Sequence, residues 1–144
     1  MSTLNPPELA EKVINQGFTK AAGVRVVHLE PGKVELALPR REDLLQFAGH
    51  FHGGVIAALA DQAAGMAVTS KLPRGKIGVT VEFKVNFLAS ADGGEIIARA
   101  EAIQVGGTIG VATIEVFTKN ENSERRCAFG TATMRAVDLP KPFT

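Results

Sequence analysis

The chain has 144 residues, a length that suits one domain with a buried core, and 45% of them are hydrophobic and 22% charged. Its 16 Lys and Arg and 15 Asp and Glu leave a formal charge of +1. No block of like charge stands out, so composition gives no ground for binding nucleic acid or an anionic membrane surface. An anionic ligand has to be held locally, by a few side chains and backbone amides. Met1 to Glu8 lacks a basic region followed by an apolar core, so no signal peptide is expected. Asp61 or glycines interrupt every long apolar stretch, which argues against a membrane span, and the expected location is the cytoplasm. Cys127 is alone. That excludes an intramolecular disulfide framework and a cysteine-based metal cluster. Lying among strand-like residues, it is expected to be a buried, inert thiol, and no metal or cofactor is called for.

In chain order, Asn5 before Pro6, Pro7 and Glu8 has the form of a helix start, with a cap, early prolines and an acid in the first turn. This helix is expected from about Pro7 to Gln16, setting Leu9, Val13 and Phe18 against the body, within an N-terminal helical segment of residues 1–20. Val24–Leu29 and Lys33–Leu38 read as two strands joined by the turn Glu30-Pro31-Gly32. Pro39 closes that hairpin. Arg40 to Phe51 is polar or irregular, with a short turn of helix around Glu42 to Leu45.

Gly53 to about Leu72 differs in kind. It is rich in alanine and carries no charge between Gly53 and Ser70 except Asp61. A helix that is apolar nearly all round is buried on most of its circumference, and small residues such as Ala57, Ala60 and Gly65 let other backbone come close. A central helix wrapped by a sheet is expected. After Pro73-Arg74-Gly75 the chain turns to strands. Val79 to Phe87 alternates, with apolar residues at odd positions and polar ones at even positions. Turns at Ala91–Gly94, Gly106-Gly107 and Asn120–Ser123 separate three more long strands, which predicts an antiparallel meander. The tail, residues 136–144, is expected to be loose.

The segment from Gln46 to Asp61 carries the chemistry. Gly53-Gly54 opens the helix, whose first N–H groups have no partner inside it and carry partial positive charge. Glycine there lets a substrate approach the backbone, so the helix start is a donor aimed at a carbonyl or a developing oxyanion. Asp61 lies in an otherwise apolar helix, where a carboxylate is costly without partners and is therefore a site candidate. Its helical neighbours Ala57, Ala58, Ala64 and Gly65 form no polar stripe. Eight residues separate Gly53 from Asp61, about 12 Å along a helix axis, too far for both to act on one carbonyl. A two-fold dimer with antiparallel helices brings the helix start of one subunit to Asp61 of the other, giving two composite sites.

The run His52-Gly53-Gly54 with Asp61, Gln46 upstream and Gly78-Val79-Thr80-Val81 downstream closely resembles the phenylacetate-pathway (PaaI-like) branch of the hotdog acyl-CoA thioesterases. Gly23–Val26, Pro31–Val34 and Pro39 are similar to that branch too, so the likeness covers about residues 18–135. The resemblance implies a single α+β hotdog domain over residues 1–144, a long central helix wrapped by an antiparallel sheet of five to six strands. It implies hydrolysis of an aryl- or medium-chain acyl-CoA, in a homodimer or a homotetramer built as a dimer of dimers. The Gly53 amide then polarises the thioester carbonyl with help from the Gln46 side chain, and Asp61 of the other subunit acts as general base or nucleophile. Thr80, on the polar face of its strand, holds the water or the carboxylate, and His52 either lines the site near the sulfur or fixes the loop. His50, Gly54 and Glu82 count among the substrate contacts. Coenzyme A is placed across Phe87, Leu88, Ala89 and Ser90 and across Val105, Gly106, Gly107 and Thr108. Its phosphates have Lys71, Arg74, Lys84, Arg125, Arg126 and Arg135 as candidate partners, although the Gly106–Thr108 turn lacks the Arg or Lys usual in the family.

Two rivals follow from the same residues. Gly49-His50-Phe51 is also similar to the hotdog 3-hydroxyacyl-thioester dehydratases, which pair a loop histidine with a helix carboxylate. Here the spacing from His50 to Asp61 is short and the intervening proline-rich stretch is missing. A non-catalytic acyl-CoA-binding hotdog protein is the other, against which Asp61 argues, since a binder gains nothing from burying a carboxylate.

Overall fold

The structure, a computed structural model, describes residues 6–140; the Asn5 cap lies outside them. Helix α1 covers Pro6–Ile14 and a second short helix, α2, covers Gly17–Ala22. The expected single helix to Gln16 stops earlier because Gly17 takes a left-handed conformation, φ 55°. Thr19 Oγ1 then lies 3.0 Å from the carbonyls of both Val13 and Gln16, tying the end of α1 to α2. Phe18, expected against the body, is 60% exposed.

Strands β1 (Arg25–Glu30) and β2 (Lys33–Pro39) form the expected hairpin. Its turn places Pro31 ahead of Gly32, whose φ of 83° is open to glycine at little cost. A short 3₁₀ turn, Glu42–Leu44, precedes helix α3, Gly53–Thr69, and β3 (Lys76–Phe87), β4 (Glu95–Val105), β5 (Ile109–Asn120) and β6 (Ser123–Asp138) follow. All six strands lie in one antiparallel sheet in the order β1-β2-β4-β5-β6-β3. This is the α+β hotdog arrangement, with α3 as the filling.

Two expectations need correction. The last four strands are not a plain meander, because β3 pairs with β6 and β4 pairs with β2. The seven-residue link Leu88–Gly94 has no tight-turn geometry to force β3 beside β4. Nor are residues 136–140 loose: β6 runs through Asp138, Leu139 is buried, and its N–H donates to the Gly75 carbonyl. Only residues 141–144 of that tail lie outside the described chain.

The core sits between α3 and the concave face of the sheet. Ile56, Leu59, Ala60, Ala63, Ala64, Ala67 and Val68 of the helix are buried against Leu36, Leu38, Ile96, Ala98, Ile114, Val116 and Met134. Each large aliphatic side chain so buried contributes about 1.5–3 kcal/mol. Gly110 lets β5 come this close: a Cβ there would lie 2.5 Å from Val68 Cγ1. The helix is nevertheless not enclosed all round. Ala57, Ala58, Asp61, Gln62 and Gly65 are half-buried and mark one face of α3 that the sheet leaves open. Among the described residues no helix is long and apolar enough to cross a membrane.

One irregularity positions the site. Thr80 pairs with Met134 but Glu82 pairs with Thr133, so Val81 is the extra residue of a β-bulge. Before it, even-numbered positions face the helix: a Cβ on Gly78 would lie 3.4 Å from Val68 Cγ1. After it, odd-numbered Phe83 and Val85 pack on the core. The unbroken alternation expected along β3 therefore changes face at Val81. Thr80 does not share a face with Glu82, which is exposed.

Candidate active site

Asp61 lies midway along α3, on its open face, half-buried. The bulge turns Thr80 toward it, and the Thr80 hydroxyl donates to Asp61 Oδ1 at 2.7 Å. That hydroxyl is also 3.2 Å from Met134 Sδ, but with one proton to give it serves the carboxylate, the far stronger acceptor. One carboxylate oxygen is thereby fixed and the other is left to act.

The start of α3 is built by His52 and the turn before it. The His52 N–H donates to the Leu44 carbonyl at 3.0 Å, and its own carbonyl accepts from Val55 and Ile56. Its side-chain Nδ1 accepts from the Gly54 N–H at 2.9 Å, capping the helix. Because Nδ1 accepts, the neutral ring carries its proton on Nε2, on an exposed residue. Of the first-turn donors, Gly54, Val55 and Ile56 are thus engaged, and the Gly53 N–H is the one left to meet a ligand. The ring of Phe87 covers this glycine, its Cζ 3.4 Å from where a Cβ would stand.

Gln46 closes a tight turn. Its N–H donates to the His50 carbonyl at 2.8 Å, while its Oε1 accepts from Ala48 N–H at 2.5 Å and His50 N–H at 3.4 Å. With the oxygen occupied, the side-chain amide presents only its NH₂ outward. Phe47, at the tip of this turn, is 102% exposed; sequence reasoning passed over it, and a large apolar residue between Gln46 and a glycine was the available signal. Among the described residues, His50 Nδ1 is buried without a hydrogen-bond partner.

The remaining predicted residues fall into two groups that one chain keeps apart. Phe87 to Ser90 follow β3 at the Gly53 end, held by the Leu88 N–H donating to the Cys127 carbonyl at 2.8 Å and Arg125 donating to the Ser90 carbonyl at 2.8 Å. Val105 to Thr108 follow β4 at the far end of the sheet, where Ala136 N–H donates to Thr108 and Ile109 pairs with Arg135, itself beside Val79. The length of β4, about 33 Å at 3.3 Å per residue, separates the two turns. A single coenzyme A cannot lie across both turns of one chain. Arg126 is engaged by Glu115 at 3.0 Å, whereas Arg125 stands at the Phe87–Ser90 turn, 3.6 Å from Asp92.

Cys127 is fully buried, and burial pushes its pKa up to about 11, so it remains a thiol and supplies no nucleophile. Among the described residues no group of three or more His, Cys, Asp or Glu could hold a metal ion.

Residues 48–124, which span the Gly53 turn, Asp61 and Thr80, match the family described as Thioesterase superfamily. The chain belongs to the thioesterase superfamily. It is 32% identical, over 73% of its length and 85% of the relative's, to a 1,4-dihydroxy-2-naphthoyl-CoA hydrolase of Listeria monocytogenes. The crystal structure of a thioesterase family protein from Silicibacter pomeroyi superposes with a TM-score of 0.89 at 34% identity, covering 94% of this chain and all of that one. A mutant of the phenylacetic acid degradation protein PaaI from Thermus thermophilus matches with a TM-score of 0.72 at 28% identity, covering 82% and 96%. Family and fold agree with the resemblance seen in the sequence, and a PaaI-like branch fits them.

Proposed function

We propose that this member of the superfamily hydrolyses an aryl- or medium-chain acyl-CoA to the free acid and coenzyme A, at sites shared by two copies of the chain. The observation that carries the reading is Asp61, a carboxylate on an otherwise apolar helix, held at 2.7 Å by Thr80. A fixed carboxylate with one free oxygen is suited to take a proton from water. The resulting hydroxide attacks the thioester carbon, and charge develops on the carbonyl oxygen. The Gly53 N–H at the positive end of α3 receives that charge, with the Gln46 NH₂ beside it. Collapse breaks the C–S bond, coenzyme A leaves as thiolate, and the proton on Asp61 returns to it.

Geometry within one chain keeps Gly53 and Asp61 about 12 Å apart, with the Phe87–Ser90 turn near one and the Val105–Thr108 turn near the other. An antiparallel two-fold pair brings each group to its complement from the other copy. The surface it needs is present. β3 is an edge strand of 12 residues, with Val79 and Val81 42% and 57% exposed, and the open face of α3 lies beside it. An edge this long and apolar is otherwise an aggregation hazard, and pairing β3 with its copy removes it. Coenzyme A then meets Phe87–Ser90 and Arg125 of one copy and Val105–Thr108 of the other. His52 Nε2–H faces outward as a donor to the departing sulfur. The test is a thiol-release screen over aryl, short and long acyl-CoA substrates, run on the parent and on Asp61→Asn. Release by the parent and its loss in the variant support the reading. Normal acyl-CoA binding by both with no release by either replaces it with a binding protein.

A further inference from the structure

α1 packs on β1 and α2, and residues of α1 and α3 together line a cavity of about 160 Å³. One wall is the α3 stripe that begins at Asp61 and Gln62 and continues through Gly65 and Met66 to Thr69. Eight rises of about 1.5 Å from Asp61 to Thr69 make this run about 12 Å long. The facing wall is α1, through Leu9, Ala10 and Val13, with Leu29 of β1 and Ile77 of β3 closing the sides. Gly65 adds no side chain to this wall.

We propose that this cavity seats the acyl group, and that α1 is the element that sets which acyl group is accepted: an unsubstituted hydrocarbon of about six carbons or one phenyl ring. The assignment rests on the thioesterase reading above for the position of the thioester, beside Asp61. Its size follows from volume, since an apolar protein cavity of about 150 Å³ holds benzene. Its chemistry follows from the walls. Thr69 Oγ1 accepts from the Gly78 N–H at 2.9 Å, and Ser70 Oγ accepts from the Gly32 N–H at 2.8 Å while donating to the Ala67 carbonyl. Ser70 is therefore committed to backbone as donor and acceptor and Thr69 Oγ1 is occupied as an acceptor, so the Thr69 hydroxyl proton is all that the deep end offers a polar group at the acyl tip, and one that cannot use it would be desolvated without a partner. Gln62, the other polar side chain of the wall, stands next to Asp61 at the thioester end. The wall formed by α1 is fixed, because Thr19 Oγ1 bonds the Val13 carbonyl.

The experiment compares S-methyl-CoA and S-hexyl-CoA, thioethers that cannot be hydrolysed, by titration calorimetry on the parent, Ala10→Leu and Leu9→Ala, with S-octyl-CoA titrated into the parent and Leu9→Ala as well, alongside turnover of acetyl-, hexanoyl- and phenylacetyl-CoA. Each methylene seated is worth about fourfold in affinity at most, so the parent binds S-hexyl-CoA at least tenfold more tightly than S-methyl-CoA. Ala10→Leu fills the cavity from the α1 side and abolishes that difference while leaving S-methyl-CoA affinity unchanged. Leu9→Ala lengthens the cavity and moves the preference toward S-octyl-CoA, and it decides the matter should Ala10→Leu fail to fold. Equal affinities for the two thioethers in the parent, or an unchanged length preference in both variants, overturn the proposal. An affinity difference without thiol release from any acyl-CoA sinks the hydrolase reading and leaves the cavity assignment standing. Release without any chain-length dependence does the reverse.

Discussion

Replacing Gly53 by proline removes one N–H and little else, which makes it the sharpest perturbation of the proposed oxyanion donor. Gly53 is the first residue of α3, where proline is tolerated because the missing N–H has no intrahelical acceptor. The residue before a proline must be extended, and His52 already is, at φ −61° and ψ 137°. The Phe87 ring leaves 3.4 Å to the position of a Cβ, an ordinary contact. Losing the freedom of glycine in the unfolded chain stabilises by about 0.4–1 kcal/mol, so the melting temperature should hold or rise slightly. Loss of a single oxyanion donor lowers kcat by about 10²–10³, or about 2.7–4 kcal/mol of barrier. Thiol release measured with a disulfide dye, beside a melting curve and Gly53→Ala as the control that keeps its N–H, reads both effects. A folded Gly53→Pro protein with parental kcat would refute the assignment of Gly53, because no other donor was removed.

Other consequences can be checked on the same preparations. Asp61→Asn, isosteric but unable to take a proton, should lower kcat by about 10²–10⁴ with the protein still folded. Thr80→Val leaves the carboxylate but removes the 2.7 Å donor; the loss of a charge-assisted hydrogen bond predicts a fall of about 10- to 100-fold in kcat with KM little changed, and an unchanged kcat would reduce Thr80 to a packing residue. Single turnover in ¹⁸O-water should place the label in the released acid, whereas label on the Asp61 carboxylate would show direct attack by that side chain. Cys127, with its pKa pushed up to about 11, should resist alkylation at pH 8 until the protein is unfolded. The unfolded thiol gives up its proton at lower pH than the folded one, so alkali above that lower value favours unfolding.

Element types were largely legible in the sequence, since hairpin, long helix and final strands each carry their own period and turn residues. What escaped it was set by tertiary pairing. Nothing in Val79–Phe87 announces that Val81 drops out of register with β6, yet that bulge is what turns Thr80 to Asp61. The alternation of apolar and polar residues there placed Thr80 with Glu82, on the wrong face. Strand order escaped for a similar reason, because the link from β3 to β4 is too long for local turn chemistry to dictate a neighbour. The uniform apolar character of α3 concealed its open face, since alanine and glycine suit a sheet, a partner subunit or a substrate equally well. Gly53 and Asp61 stood out as candidates because a glycine pair at a helix start and a solitary acid on a greasy helix are conspicuous, whereas Gln46 came only through the family resemblance. That His52 would occupy the Gly54 amide, leaving Gly53 as donor, needed coordinates.

The shared site is tested most directly by mixing two inactive proteins. Asp61→Asn and Gly53→Pro chains, unfolded together in equal amounts and refolded, should form mixed pairs in which one site receives an intact Gly53 from one chain and an intact Asp61 from the other. The account predicts that thiol release returns to about a quarter of the parental rate. A mixture no more active than its two components, once mixed pairs are shown to have formed, would contradict it.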